Sequence, residues 1–207
     1  MTNAQRWMIL GDSIQAAVYA AAGQPAAAAT CLTASQLPGL ANVLIQNLSS
    51  PGMRITQGGE PGTGAYANKN VIGLVAGYAG ATGLIITLGT NDWGNPPTTG
   101  SEFSSNYQDI LQYAKGLGLK LVCVSPIFRA EEVQARQHVD GMYSLGNFRT
   151  TVEGNAALAG VSYINGGEFT GYEHPEWYAD GLHLNAEGHR AFVMWLVGKM
   201  RALGFWG

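Results

Sequence analysis

Short apolar runs recur along the chain at Trp7 to Leu10, Val43 to Leu48, Leu84 to Leu88, Leu119 to Ser125 and Val161 to Ile164, separated by stretches long enough to hold helices. The runs are apolar throughout instead of alternating with polar residues. That is the pattern of strands covered on both faces, and it predicts a parallel sheet rather than a sandwich. Between the third and fourth runs, Phe103, Tyr107, Ile110, Leu111, Ala114 and Leu117 recur at helical spacing, and Gly116 and Gly118 supply a stop before the next strand. The last segment repeats the pattern. Asn185 stands where a cap belongs, Phe192, Leu196 and Met200 share one stripe, Lys199 and Arg201 suit the negative end of the helix, and Gly204 can close it. Strand and helix thus alternate, and the economical architecture is one open three-layer α/β/α domain over residues 1–207 with about five parallel strands.

Three stretches are less regular. Ala16 to Thr30 is rich in alanine but broken by Gly23 and Pro25, which predicts a helix running into a loop. Gln57 to Gly64 gathers glycines around Pro61 and reads as loop. Ala130 to Gly160 has helical composition interrupted by Gly141, Gly146 and Gly154, with no clear boundary. No repeat of ~20 to 50 residues stands out, which excludes a solenoid or a propeller.

Composition narrows the function. Charged residues make up 12% of the chain, about half the ~25% of an average globular protein. With a 46% hydrophobic share, this is the composition of a folded chain and not a disordered one. The net charge is −3 and no Lys/Arg cluster appears, so nucleic acid is not an expected partner. The apolar runs fall well short of the ~18 residues of a membrane span, and the chain is expected to be soluble. Trp7 to Leu10 is too short for a secretory core of ~7 to 15 residues; no cleavable signal is visible, which favours the cytoplasm. Cys31 and Cys123 are no disulfide framework. Both are expected to be free, with Cys123 buried in the fourth strand.

In an open parallel sheet, catalytic groups gather on the loops beyond the carboxyl ends of the strands. Three polar segments stand in that region: Gly11-Asp12-Ser13-Ile14, Gly89-Thr90-Asn91-Asp92, and Asp180-Gly181-Leu182-His183-Leu184-Asn185 just ahead of the last helix. Alone, the first could be a turn with a helix cap and the second a plain Asx turn. The third shifts the balance, because Asp180 lies three positions before His183 and its carboxylate can reach back to the imidazole. A nucleophilic serine needs a base to take its proton, and the base needs a third group to hold its tautomer. Ser13, His183 and Asp180 can fill those roles, and the Asn91 amide can donate to a developing oxyanion.

Together the three segments resemble the SGNH/GDSL hydrolase family, in its order and at its usual positions, so that the resemblance spans nearly the whole chain. It implies a flavodoxin-like sandwich with a five-stranded parallel sheet in the order 2-1-3-4-5. It further implies that Ser13 is the nucleophile, that Asp180 and His183 complete the triad, and that the oxyanion hole is formed by the Ser13 N–H, a glycine N–H after the second strand, and Asn91. Gly52, nearest the strand end, is the choice for that glycine; Gly58 and Gly59 lie further on, and Pro51 immediately before Gly52 departs from the pattern. Asp12 is expected to shape the turn around Ser13 and take no part in chemistry.

The resemblance implies an ester or thioester hydrolase working through an acyl-enzyme, with a small-molecule or glycan ester as substrate and no cofactor. Trp93, Trp177 and Tyr178 are candidates to line the substrate pocket, and the segment from Gly166 to Asp180 to form its rim or lid. A small acyl group, such as acetyl on a carbohydrate, is preferred over a long lipid chain. The alternative is a domain of the same fold that binds a glycan or acyl group without turning it over.

Other chemistries fit less well. His174, His183 and His189 lie near Glu173, Glu176, Asp180 and Glu187, but no His-Glu-x-x-His or paired-Cys signature accompanies them. No metal is expected; His189 reads as an exposed helical residue and His174 as a loop residue. The Gly58 to Gly64 cluster lacks the Lys-Ser/Thr of a phosphate loop, and Gly-x-Ser-x-Gly is missing, which disfavours an α/β-hydrolase elbow.

Overall fold

The computed structural model describes residues 5–16, 42–56, 72–73, 76–77, 80–94, 98–128, 136–138 and 141–206. Cys31, Gly58, Gly59, the expected loop from Gln57 to Gly64 and the expected helix beyond Ala16 lie outside them. The strands are β1 (Gln5–Gly11), β2 (Val43–Asn47), β3 (Gly83–Thr87), β4 (Lys120–Val124), β5 (Arg136–His138), β6 (Gly141–Tyr143) and β7 (Ser162–Ile164). The helices are α1 (Thr90–Trp93), α2 (Gly100–Gly116), α3 (Leu145–Ala159) and α4 (Ala186–Ala202).

Five strands form one sheet in the order β2-β1-β3-β4-β7, every neighbouring pair parallel. This is the expected 2-1-3-4-5 order once the antiparallel β5–β6 hairpin is set aside. Each of these five strands begins and ends within two residues of an apolar run; the central β1, β3 and β4 are buried along most of their length, whereas the edge strand β2 leaves Leu44 and Gln46 exposed. Successive side chains point to opposite faces. Met8, Leu10, Leu84, Ile86, Leu121 and Cys123 therefore join Phe103 and Tyr107 of α2 and Phe148 and Val152 of α3 in one core. Trp7, Ile9, Ile85, Val122 and Val124 join Phe192, Leu196 and Met200 of α4 in the other. The result is three layers with α2 and α3 on one side and α4 on the opposite one.

Local signals set the helix ends. The Thr99 hydroxyl accepts the Glu102 N–H at 3.1 Å to start α2, and Gly118, with φ 75°, turns the chain into β4. Gly204, at φ 78°, follows α4 as expected. Within the indistinct stretch from Ala130 to Gly160, the described residues form the paired strands β5 and β6 and helix α3, which opens on Ser144 and ends at Gly160 with φ 63°. Gly146 and Gly154 lie within this helix without breaking it. Glycine costs about 1 kcal/mol in a helix, less than the roughly 1.5–3 kcal/mol gained for each large side chain such as Leu145 or Phe148 buried on the other face. Among the described residues, no helix is long and apolar enough to cross a membrane.

Candidate active site

The first loop is built to present Ser13 at the end of β1. A Cβ at Gly11 would stand 2.4 Å from the Thr87 hydroxyl and 2.6 Å from Gln15 Oε1, so only glycine lets the chain turn against β3 here. Asp12 then shapes the turn, its Oδ1 accepting the Ile14 N–H at 2.8 Å and its own N–H donating to Gln15 Oε1 at 3.2 Å. Ser13, between these tied residues, remains half-buried.

Its partner comes from the far end of the chain. His183 Nε2 stands 2.9 Å from Ser13 Oγ, and His183 Nδ1 stands 2.7 Å from Asp180 Oδ2. With Nδ1–H donating to the carboxylate, Nε2 is left as the nitrogen that accepts from the serine. The other oxygen of Asp180 accepts the backbone N–H of His183 at 2.7 Å and of Leu182 at 3.0 Å. Partial burial works to raise the Asp180 pKa, but the His183 and Leu182 donors outweigh it and hold the carboxyl below its ordinary value. The segment is closed by a bridge between Tyr178 and Leu184 and by the Ala179 N–H donating to the His183 carbonyl at 2.8 Å. Gly181, with φ 80°, makes the tight turn between acid and base.

The Gly52 loop is lashed to both neighbours. Ser50 N–H donates to the Gly11 carbonyl at 3.1 Å, which ties it to β1 two residues before Ser13. Met53 N–H returns to the Ser50 carbonyl at 3.1 Å, closing a four-residue turn with Pro51 and Gly52 in the middle. Gly52 has φ 72°, so Pro-Gly here is the composition of a type II turn, and Pro51 is compatible with the loop. Asn91 reaches across from α1, its Nδ2 donating to the Met53 carbonyl at 3.1 Å. The loops bearing Ser13, Gly52 and Asn91 are therefore joined by hydrogen bonds.

The aromatic residues divide. Trp93 is 4% exposed and belongs to the core on the α2 side. Tyr178 is also buried, and its hydroxyl donates to the Phe128 carbonyl at 2.9 Å. Both side chains pack within the domain in this structure. Trp177 keeps partial exposure, but His174 stacks on its ring at 3.9 Å and Phe169 stacks at 6.2 Å. From Gly166 to Trp177 the chain winds through three short 3-10 turns, and Phe169 is packed against Phe192 and Trp195 of α4. This rim is anchored to the body of the domain.

The GDSL-like lipase/acylhydrolase family model matches residues 9–191, which include all three motif segments. The chain belongs to that family. No curated protein matches it in sequence. Solved structures do. A lipase/acylhydrolase from Enterococcus faecalis superposes with a TM-score of 0.68 at 16% identity, over 96% of each chain. The salicylyl-acyltransferase SsfX3 of a tetracycline biosynthetic pathway gives 0.73 at 20% identity, over 99% of this chain and 56% of that one. An active-site mutant of a family two carbohydrate esterase from Clostridium thermocellum gives 0.67 at 16% identity, over 98% of this chain and 65% of that one.

Two features of this GDSL-family hydrolase differ from or extend the sequence reading. His189 is buried at 3% exposure, not exposed, and burial followed by the nearby His183 pushes its pKa down to about 4. The signal was present: the α4 stripe Phe192, Leu196, Met200, continued one turn back, lands on position 189. Cys123 is a free, buried thiol, and burial, only partly offset by a hydrogen bond from Tyr107, pushes its pKa up to about 12. Such a thiol is inert as a nucleophile.

Proposed function

We propose that this hydrolase, as one domain over residues 1–207, is a serine esterase that cleaves a carboxylic ester through an acyl-enzyme on Ser13. The observation that carries the reading is the unbroken line of contacts from Ser13 Oγ to His183 Nε2 at 2.9 Å and from His183 Nδ1 to Asp180 Oδ2 at 2.7 Å. Ser13 Oγ attacks the acyl carbon while its proton passes to His183 Nε2. Asp180 holds the tautomer and stabilises the imidazolium. Negative charge gathers on the former carbonyl oxygen, where the N–H groups of Ser13 and Gly52 and the Asn91 amide donate to it. Collapse expels the alcohol, which takes the proton from His183. Water then gives up a proton to His183 as it attacks the acyl-enzyme, and the acid leaves with Ser13 restored.

The favoured substrate class is a short acyl ester, such as acetyl on a carbohydrate. The exposed large apolar side chains among the described residues are Leu44, Leu117, Leu158, Met194 and Leu203. They sit on β2, on α3 and α4, and at the ends of α2 and α4, none on a loop bearing Ser13, Asn91 or His183. Among the described residues, those loops present no exposed large apolar side chain. The likeness to a carbohydrate esterase of the same fold is compatible with a sugar ester.

The test is hydrolysis of p-nitrophenyl esters from acetate to octanoate by wild type, Ser13→Ala and His183→Ala. Each variant should lose nearly all turnover while folding normally, and wild-type rates should fall with chain length. Full activity in Ser13→Ala would overturn the assignment. Absence of turnover together with absence of fluorophosphonate labelling would replace it with a non-catalytic domain that binds glycan or acyl groups.

A further inference from the structure

Two of the three proposed oxyanion donors sit on separate loops, and neither loop is regular structure for long: Gly52 lies in a turn after β2, and Asn91 in the single turn of helix α1. Upstream, the Gly52 turn is held by the Ser50 N–H bond to Gly11. Downstream, the holder is Asp92, which is fully buried. Its Oδ2 accepts the Ile55 N–H at 3.0 Å, and its Oδ1 accepts the Thr56 N–H at 3.1 Å and the Thr56 hydroxyl at 2.8 Å. A chain of donors continues behind it. Arg54 Nη2 donates to Thr98 Oγ1 at 2.9 Å, Thr98 stands 3.0 Å from Thr56 Oγ1, and the Thr98 N–H returns to the Asp92 carbonyl at 2.9 Å.

A buried carboxylate is costly unless its oxygens are met by donors. All three of these donors come from the segment three and four residues beyond Gly52. We infer that Asp92 is a positioning residue of the oxyanion hole, which clamps the Gly52 loop in register with the neighbouring Asn91. The inference rests on the proposed hydrolysis through Ser13. Asp92 touches no reacting atom. Its part is to keep two donors on separate loops converging on one point, where a displacement of about 1 Å can cost ~100-fold in rate.

The sharp variant is Asp92→Asn, which keeps the shape but turns an amide N–H toward a donor. It should lower kcat by ~10- to 100-fold with KM within about two-fold, and speed amide hydrogen exchange over residues 52–56. Thr98→Val leaves Asp92 in place while breaking the link to Arg54, and should cost a milder ~3- to 10-fold; it keeps the inference testable if Asp92→Asn folds poorly. In an Asn91→Ala background, Asp92→Asn should cost far less than in wild type, because the pair of donors is already incomplete. Wild-type kcat in both single variants, unchanged exchange over residues 52–56, or strict additivity with Asn91→Ala would overturn the inference. Failure of the esterase reading is separate: it appears in the wild type and Ser13→Ala alone, whereas the exchange measurement reports on the clamp without any turnover.

Discussion

Asn91 has two amide hydrogens and gives one of them to the Met53 carbonyl at 3.1 Å. In the proposed mechanism the second donates to the oxyanion, and the first fixes the direction in which it points. Asn91→Ala should therefore cost ~10²- to 10³-fold in kcat on the best p-nitrophenyl ester with little change in KM, and a loss below tenfold would remove Asn91 from the hole. Candidates of this kind could be named from the sequence because their polar groups are packed into short contiguous motifs: Gly11 to Ile14, Gly89 to Asp92, Asp180 to His183. The burial of Trp93 was not legible in the same way. A bulky ring beside a motif looks the same in sequence whether it faces a pocket or the core, and only packing shows that Trp93 is covered.

Helix α4 and the turns before it illustrate how an element carries a functional group. Asn185 caps α4, its Oδ1 accepting the N–H groups of Glu187 at 3.1 Å and Gly188 at 3.0 Å, while its Nδ2 donates to the Glu176 carbonyl. At Gly188 a Cβ would come within 2.5 Å of the Trp177 carbonyl, so the helix start and the rim are in direct contact. The cap thereby also braces the segment that holds Asp180 and His183. Asn185→Ala should cost about 1 kcal/mol of stability, measured by denaturant unfolding, with a several-fold fall in kcat; unchanged unfolding would show that the cap is dispensable. The capping asparagine and the apolar stripe of α4 were legible because both are local. The β5–β6 hairpin was not, since the short runs Arg136–His138 and Gly141–Tyr143 carry no strong apolar alternation.

The burial of His189 on α4 makes the stability of the molecule depend on pH. In the folded state its pKa lies at about 4, against 6.5 ordinarily, because burial disfavours the charged ring. As pH falls below 6.5 the unfolded chain takes up a proton that the native state refuses, so stability is lost between about 6.5 and 4 and levels off below. The difference is worth about 3 kcal/mol. Unfolding of wild type and His189→Phe across that window should show the slope in the first and its reduction in the second; parallel curves would mean that the ring charges without penalty. Asp180, held below its ordinary pKa, stabilises the fold above that ordinary value and loses its contribution at still lower pH.

Periodicity and spacing predicted five parallel strands with helices between them, and placed three polar motifs near the strand ends, because each of these is written within a few neighbouring residues. What tertiary structure decided is everything that depends on distance through space. It brought Ser13 to His183 across 170 positions, placed α4 on one face of the sheet and α2 and α3 on the other, and bound the Gly52 and Asn91 loops together. The reason is physical: strand order and layer packing fix which loop ends meet, and no local pattern along the chain encodes the separation between residues that only the completed sheet brings side by side.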